Sequence, residues 1–480
     1  MRILHWFRKD LRLDDNTALS KALRDSGGDV VPFYMSEPAI LGRPDMAAAR
    51  VRFVLESLAS LRESIEAAGS SLALRHGDAV EGVLRAARAS GAGAVYWNDE
   101  YEPQLHQRDD AVQRALVAAG VGVKRFHDRL LVPPGLVATA AGTPFVVYSP
   151  FRRACEKHPL AEPHARVTRL SPHDLPRRPI ATLAQLGYAE PVTQPWPAGE
   201  TAALARLEQF LDTIDGSAHE GLAGYATHRD FPAVRAVSQL SADLRFGTIG
   251  IRRVAHAALA AAQAAPRLAK AVERFISELR WRDFYAQVLY HHPHCERGCF
   301  RPEYDALPWS GTPEQLATWK AGQTGYPIVD AGMRELLTTG FMHNRVRMLV
   351  ASFLTKDLLL DWRHGERHFM QHLIDGDLAN NNGGWQWAAG TGTDAAPYFR
   401  IFNPTSQGER FDADGEYVRR WVPELGTLPA RLLHRPWQAR PLELAAAGVV
   451  LGESYPHPMV DHAVQRERAL AMYAVVKGKA

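Results

Sequence analysis

The sequence predicts two architectures in series: a doubly wound α/β domain with a parallel sheet over residues 1–130, and an all-α domain over 201–480, joined by a linker over 131–200. Three patterns carry this reading. In the first stretch short apolar runs alternate with helical periodicity, which is the βαβ signature of a parallel sheet. In the second, 12 of the 31 prolines crowd into 70 residues, and proline at that density breaks regular elements. In the third almost every pattern has a helical period, with breaks at "TGYP", "DGD" and "FNPTSQG".

Taken in order, "RILHWF", "DVVPFYM", "SLALRHGD", "AGAVYWND" and "GVKRFHD" read as strands, and "ARVRFVLESLASLRESIEAAG" as a helix between the second and third. The first strand runs into "RKDLRLDDN" and not into a G-x-G-x-x-G turn, so a Rossmann pyrophosphate grip is not expected there. The proline-rich linker is expected to wrap on the surface.

Composition bounds the function. A chain of 480 residues, 46% hydrophobic and 23% charged, can bury a sizeable core in more than one domain. No apolar run approaches the roughly 18 residues of a membrane span. The opening "MRILHWFRKDLRL" lacks the apolar stretch and small-residue cleavage site of a signal peptide, so a cytoplasmic location is expected. Cys155, Cys295 and Cys299 are too few for a disulfide framework and fit a reducing compartment. With a formal charge of +3, a polyanion would have to meet a local patch. Residues 226–301 offer one, with 12 Lys or Arg against 6 Asp or Glu, a net +6.

Four segments of the helical part carry chemistry. In "FISELRWRDFYAQVLY" Glu278, Trp281, Arg282 and Tyr285 stand at i, i+3, i+4 and i+7, on one helix face. On its own this segment favours a plain i,i+4 Glu–Arg pair on a solvated helix. In "GFMHNRVRMLVASFL" the same spacing groups Asn344, Arg347 and Met348, where a capped helix start is the plain reading. In "VSQLSADLRFG" Ser238 and Ser241 precede a helical run, as N-caps or as phosphate-binding hydroxyls. The fourth, "DGDLANNNGGWQWAAGTGTDAAPYF", sets Asp375 and Asp377 before an Asn-Gly run and Trp385 after it. It shows little helical or strand periodicity, and a tight hairpin on "NNGG" is the plain reading. Indoles beside amides suit a flat heteroaromatic ligand better. "HHPHCERGC" superficially offers a metal site in His291, His292, His294, Cys295 and Cys299, but its spacing fits no familiar finger and no metal is expected.

The runs "HWFRKDLRLDDNTAL", "GYATHRDFPAV", "TGYPIVDAGMRELLTTGFMHNRVRMLVASFLTKDLLLDWRHGERHF" and "DGDLANNNGGWQWAAGTGTDAAPYFRIFNPTSQGERFD" resemble the DNA photolyase/cryptochrome family, in its class I cyclobutane pyrimidine dimer branch. The resemblance covers essentially the whole chain. It implies an α/β antenna domain, a long linker and a helical domain holding FAD, active in its reduced anionic form. It further implies a monomeric photo-lyase: excited flavin gives one electron to a dimer flipped out of DNA, the cyclobutane ring opens, and the electron returns.

By position, the resemblance assigns the cofactor to Tyr225, Val237, Ser238, Gln239, Leu240, Ser241, Phe275, Arg282, Asn344, Arg347, Asp375, Gly376, Asp377 and Asn381. Arg347 should pair with Asp375, and Asn381 should face flavin N5. Trp385, Trp362 and Trp309 match a tryptophan relay. The lesion falls to Glu278, Trp281, Tyr285, Asn344, Met348 and Trp387, and the DNA to Arg229, Arg282, Arg345 and Gln407.

Three departures follow. Val237 replaces a common Thr, Phe341 a common Trp, and Glu296 the lysine of folate-binding relatives. The second, antenna chromophore stays open among deazaflavin, folate and FMN, with "NDEYEP" resembling deazaflavin users and an empty site also open. Repair of (6-4) products would call for histidines at Asn344 and Met348. A signalling cryptochrome would more naturally carry an acid at Asn381 and a C-terminal extension. A generic flavin electron-transfer protein would not need the Glu278, Trp281 and Arg282 face.

Overall fold

The computed structural model describes residues 1–191, 196–212, 220–395 and 397–477. Strands β1 (Ile3–Phe7), β2 (Val30–Ser36), β3 (Ala73–His76), β4 (Ala94–Asn98) and β5 (Gly122–Phe126) form one parallel sheet in the order β3-β2-β1-β4-β5. Each falls on one of the five apolar runs. Ile3 aligns with Val30 on one side and Ala94 on the other.

The runs read as nearly continuous apolar sequence because both faces of the sheet are covered. Ile3, Phe7 and Tyr34 pack against Leu58 and Leu61 of the Ala48–Ala67 helix. Leu4, Trp6, Phe33 and Trp97 pack against Val83 of the Ala79–Ser90 helix and Val112 of the Pro103–Ala118 helix. The strand order reverses at β1, so the crevice for a ligand opens at the carboxyl ends of β1, β2 and β4.

Beyond Glu200 the elements are helices, from Glu200–Leu211 to His462–Lys477, apart from an isolated bridge between Leu451 and Tyr455. Among the described residues they enclose two large apolar cores. One gathers Trp319, Phe353, Trp362, Trp385 and Tyr473, and the other Phe210, Tyr225, Phe275 and Phe284.

The proline-rich stretch departs from its expected surface course. It carries a helix, Tyr148–Cys155, whose Tyr148, Phe151 and Cys155 are buried in the second of those cores. Their i, i+3, i+7 spacing makes a helical stripe that the surrounding prolines obscure. Residues 192–195 of the stretch lie outside the described residues.

Buried charge joins the sheet to the helices. Arg12 meets Asp128 at 2.5 Å, and Arg252 reaches Asp15 and Asp128 at 2.7 Å each. All four side chains are almost wholly out of water. Arg50, from the Ala48–Ala67 helix, donates to the Leu373 carbonyl at 3.0 Å. Removing one partner of such a network strands the opposite charge in a dry site. Arg252→Ala is therefore expected to lower stability by about 3 to 5 kcal/mol in urea unfolding at neutral pH. A loss under about 1 kcal/mol, the range of an exposed pair, would show the two halves to be held by other contacts.

Candidate active site

Three helices build the site: Ala269–His291, Trp362–His372 and Leu378–Ala389. The last corrects the hairpin reading of "NNGG". Asp377 caps it, accepting from Asn380 N at 3.1 Å. Two of its amide side chains are spent on a neighbouring loop. Asn382 donates to the Cys295 carbonyl at 2.9 Å and Gln386 to the Gly298 carbonyl at 3.1 Å, while Gln386 accepts from Phe300 N at 2.7 Å. The polar run thus anchors the segment that follows the long helix. The same loop holds the His/Cys cluster, and among the described residues no group of three or more His, Cys, Asp or Glu is arranged to hold a metal ion.

Glycine sets the packing. A Cβ on Gly383 would stand 2.2 Å from the Tyr285 ring, and one on Gly365 would stand 2.1 Å from the Trp385 indole. Close approach at both points lets the three helices converge. Gly384 differs, because a Cβ there would meet nothing within 4 Å.

The acids lie on this framework. Arg347 donates to Asp375 at 2.9 Å, as expected, and to the Met342 carbonyl at 2.7 Å. The other Asp375 oxygen is buried without a partner. Burial would raise the Asp377 carboxyl, but Arg245 at 3.4 Å and Arg129 at 3.8 Å outweigh it and hold it at about 2. Gly376 gives its carbonyl to Arg245 at 3.1 Å. Asn381 is buried and donates to the Glu366 carboxylate at 3.1 Å and carbonyl at 2.9 Å. Glu366 was not anticipated, since nothing in "WRHGERHF" shows which helix it faces.

Tyr225 and Phe275 meet edge to face at 5.4 Å in the core beneath the Val237–Ser241 loop. In that loop Gln239 has a left-handed backbone, φ 54°, and Leu240 is buried. Ser241 forms no side-chain cap, and Ser238 stands 3.5 Å from Leu240 N, so their hydroxyls are only weakly engaged. An orphaned buried acceptor at Asp375, open space at Gly384 and uncommitted serines fit a dinucleotide with polar edges, such as FAD. The residues present suit that group.

The expected i,i+4 pair on the long helix is not formed. Glu278 bonds instead with Arg229. Arg282 turns inward to the Arg129 and Leu244 carbonyls, the latter at 3.0 Å, which removes it from a DNA-facing role. Burial lowers its guanidinium to about 10. Carbonyls at the junction of the two halves outcompete a surface carboxylate because they satisfy a buried fork. Trp281 and Trp387 are half-buried, as are Met348 and Gln407, while Asn344 is exposed at the first turn of the Asn344–Ser352 helix. Arg345 pairs with Asp230 at 3.0 Å and lies 4.5 Å over the Phe411 ring. Trp385 and Trp362 are buried in one apolar cluster, and half-buried Trp309 packs against it.

Two cavities lie close by. One of about 850 Å³ opens at the carboxyl edge of the sheet, lined by Arg8, Tyr34, Met35, Arg50 and Arg108 among others. A smaller one, of about 320 Å³, is lined by Tyr101, Arg129, Arg282 and Asp377.

Burial raises Glu366 to about 7, against the pull of the Asn381 amide. An unfolded glutamate ionises near about 4.3, so the folded state holds the extra proton between the two values and loses stability as pH rises through them. Glu366→Gln is expected to remove that loss, flattening unfolding free energy between about pH 5 and 8 by on the order of 2 kcal/mol. An unchanged pH slope would mean that Glu366 is already ionised in the fold.

Comparison with known proteins identifies the family. The DNA photolyase family model matches residues 3–169, and that of the FAD binding domain of DNA photolyase residues 275–475. A deoxyribodipyrimidine photo-lyase of Agrobacterium fabrum is 43% identical, with 99% of this chain and 98% of that protein covered. The crystal structure of a class III photolyase from Agrobacterium tumefaciens superposes with a TM-score of 0.90 at 41% identity, covering 99% of this chain and 98% of the other. An archaeal photolyase from Sulfolobus tokodaii, solved with two FAD molecules, gives 0.84 at 32%, covering 99% and 100%. The chain belongs to the DNA photolyase family.

Proposed function

We infer that this chain is a deoxyribodipyrimidine photo-lyase, repairing cyclobutane pyrimidine dimers in DNA under light. The observation that carries the reading is the Glu278 and Trp281 face set beside a cradle that suits FAD, in a chain whose relatives bear that name over its full length. A fold shared with light sensors does not by itself make an enzyme, so the site has to carry the argument. Asn344 and Met348 stand where (6-4) repair would need histidines, and Asn381 where a plant-type sensor would more naturally carry an acid.

Bound FAD, when reduced and photoexcited, supplies the electron that opens the cyclobutane ring. The protein supplies placement and field. Tyr225, Val237 to Ser241, Phe275, Arg282, Asn344, Arg347, Asp375 to Asp377 and Asn381 would hold the cofactor. Trp281 and Trp387 stack on the extruded dimer, with Tyr285 and Met348 completing the wall. Glu278 hydrogen-bonds the pyrimidine edge once Arg229 releases it to a phosphate. Arg229, Arg345 and Gln407 meet the DNA backbone, and neutralised phosphates release counterions. Trp385, Trp362 and Trp309 lead from the buried site toward the surface as a re-reduction path.

The cavity at the sheet edge suits a flat aromatic antenna, with arginines for its polar groups. A folate is disfavoured, since Glu296 replaces the family lysine and accepts from Gln104 at 3.1 Å. We place the domain division at 1–130, 131–200 and 201–480, with the Tyr148–Cys155 helix belonging in packing to the third part. We further propose a monomer in the cytosol, consistent with three free thiols.

The direct test is illumination of the reduced holoprotein with DNA carrying each lesion, with repair of cyclobutane dimers expected and none of (6-4) products. Repair in darkness, or of the (6-4) lesion alone, would overturn the reading. Glu278→Ala should lower the repair yield per photon at saturating substrate while FAD content stays near wild type, because concentration overcomes weak binding but not a lost interaction with the reacting state. Trp385→Phe should stop photoreduction of oxidised flavin and spare repair by chemically reduced enzyme. Loss of both activities would mark a folding defect instead.

A further inference from the structure

We propose that Tyr148, carried by the proline-rich segment, is a positioning residue for lesion recognition: it backs the Trp281 indole and fixes its plane before DNA arrives. The inference rests on the reading of Trp281 as a lesion-stacking side chain.

The two rings are stacked, with centroids 3.7 Å apart and planes 11° from parallel. Tyr148 is buried and covers one face of the indole, while Trp281 stays half-buried and keeps part of its surface exposed. Phe284 stands edge-on to both rings, at 5.8 and 5.6 Å. The phenol is itself fixed. Its hydroxyl donates to the Ser277 carbonyl at 2.6 Å and lies 2.7 Å from the Ser277 hydroxyl, one turn before Trp281 on the same helix.

The same short segment also reaches the stretch that follows the Leu378–Ala389 helix. Tyr148 N donates to Asp394 at 3.1 Å, and the Thr393 hydroxyl donates to the Val146 carbonyl. Thr393 and Asp394 follow the Leu378–Ala389 helix, which carries Trp387. One strap thus ties the helix of one stacking indole to the exit of the other.

An indole free on a helix surface must be immobilised when a ligand stacks on it, and that ordering opposes binding. A partner ring already in place removes the cost and adds its own aromatic contact. Duplex DNA without a lesion keeps its bases stacked and does not enter the pocket. The effect of Tyr148 should therefore fall on lesion affinity and spare general DNA affinity. A tyrosine that merely filled the core would show no such selectivity.

Binding of FAD-loaded protein to a thymine-dimer oligonucleotide and to its undamaged counterpart tests this, with flavin content and photoreduction as controls. Tyr148→Leu is expected to weaken dimer binding about three- to tenfold while undamaged binding and flavin content stay within about twofold. Tyr148→Phe, which keeps the stack, should restore dimer binding. Should the leucine variant lose flavin, Tyr148→Met, whose flexible thioether fills the gap by another route, gives the same readout. Added to Trp281→Ala, either change should cost nothing further, since Tyr148 acts through the indole. Dimer binding at wild-type strength, proportional loss for both DNAs with flavin retained, or full additivity in the double variant would each overturn the proposal. Wild-type dimer binding by Trp281→Ala alone would instead sink the reading on which it rests.

Discussion

Four buried charges govern how this molecule is put together. Arg12 and Arg252 neutralise Asp15 and Asp128 between the sheet and the helices, where each would be costly alone. Because all four must be satisfied together, the two halves have one way to meet. Other polar ties follow from that docking: Arg50 reaches the Leu373 carbonyl, and Arg245 links Glu102 of the sheet side to Asp377 of the helix cap. The cavity at the sheet edge is thereby held beside the residues proposed to cradle the flavin, and an arginine is shared between them. Arg245 serves the cavity and the cap alike.

Within the cradle, carboxyl groups in similarly dry surroundings behave differently, and their partners explain why. Asp377 faces Arg245 and Arg129 and stays ionised far into acid. Glu366 has an amide as its near partner and keeps its proton toward neutrality. Asp375 has a guanidinium on one oxygen and nothing on the other. A ligand ring placed among them would meet a fixed anion, a proton-bearing acid and a free acceptor, and such separation of roles is how one pocket handles charge and protons at once.

The sequence was most legible where local pattern and tertiary context agree. Five apolar runs became five strands because a sheet covered on both faces needs continuous apolar sequence. The Arg347–Asp375 pair forms as the family resemblance implied, and Trp385 is buried. The misreadings have a common cause, which is that polar side chains were assigned to local partners and found distant ones. Glu278 took Arg229 and not Arg282, and Arg282 took two carbonyls at the junction. The asparagines of "NNGG" suggested a turn, yet a capped helix forms because Asn382 and Gln386 have a loop to bond. Glu366 is hidden for the same reason, since Asn381 lies on another helix, whereas the stripe that buries Tyr148 is local but masked by the prolines around it.

The contact between Gly365 and Trp385 bears on how this protein could be engineered. Replacing a helical glycine by alanine is a routine way to gain roughly 0.5 to 1 kcal/mol, and a consensus-minded designer would try it here. At residue 365 the added methyl would collide with the buried indole at 2.1 Å, so the clash overrides the usual helix gain. If that indole is the inner terminal of a molecular wire, its displacement would lengthen a tunnelling gap whose conductance decays exponentially with distance. A single absent methyl then acts as the gauge that sets the wire's spacing, and a change meant to stiffen the helix would cost both packing and electrical continuity.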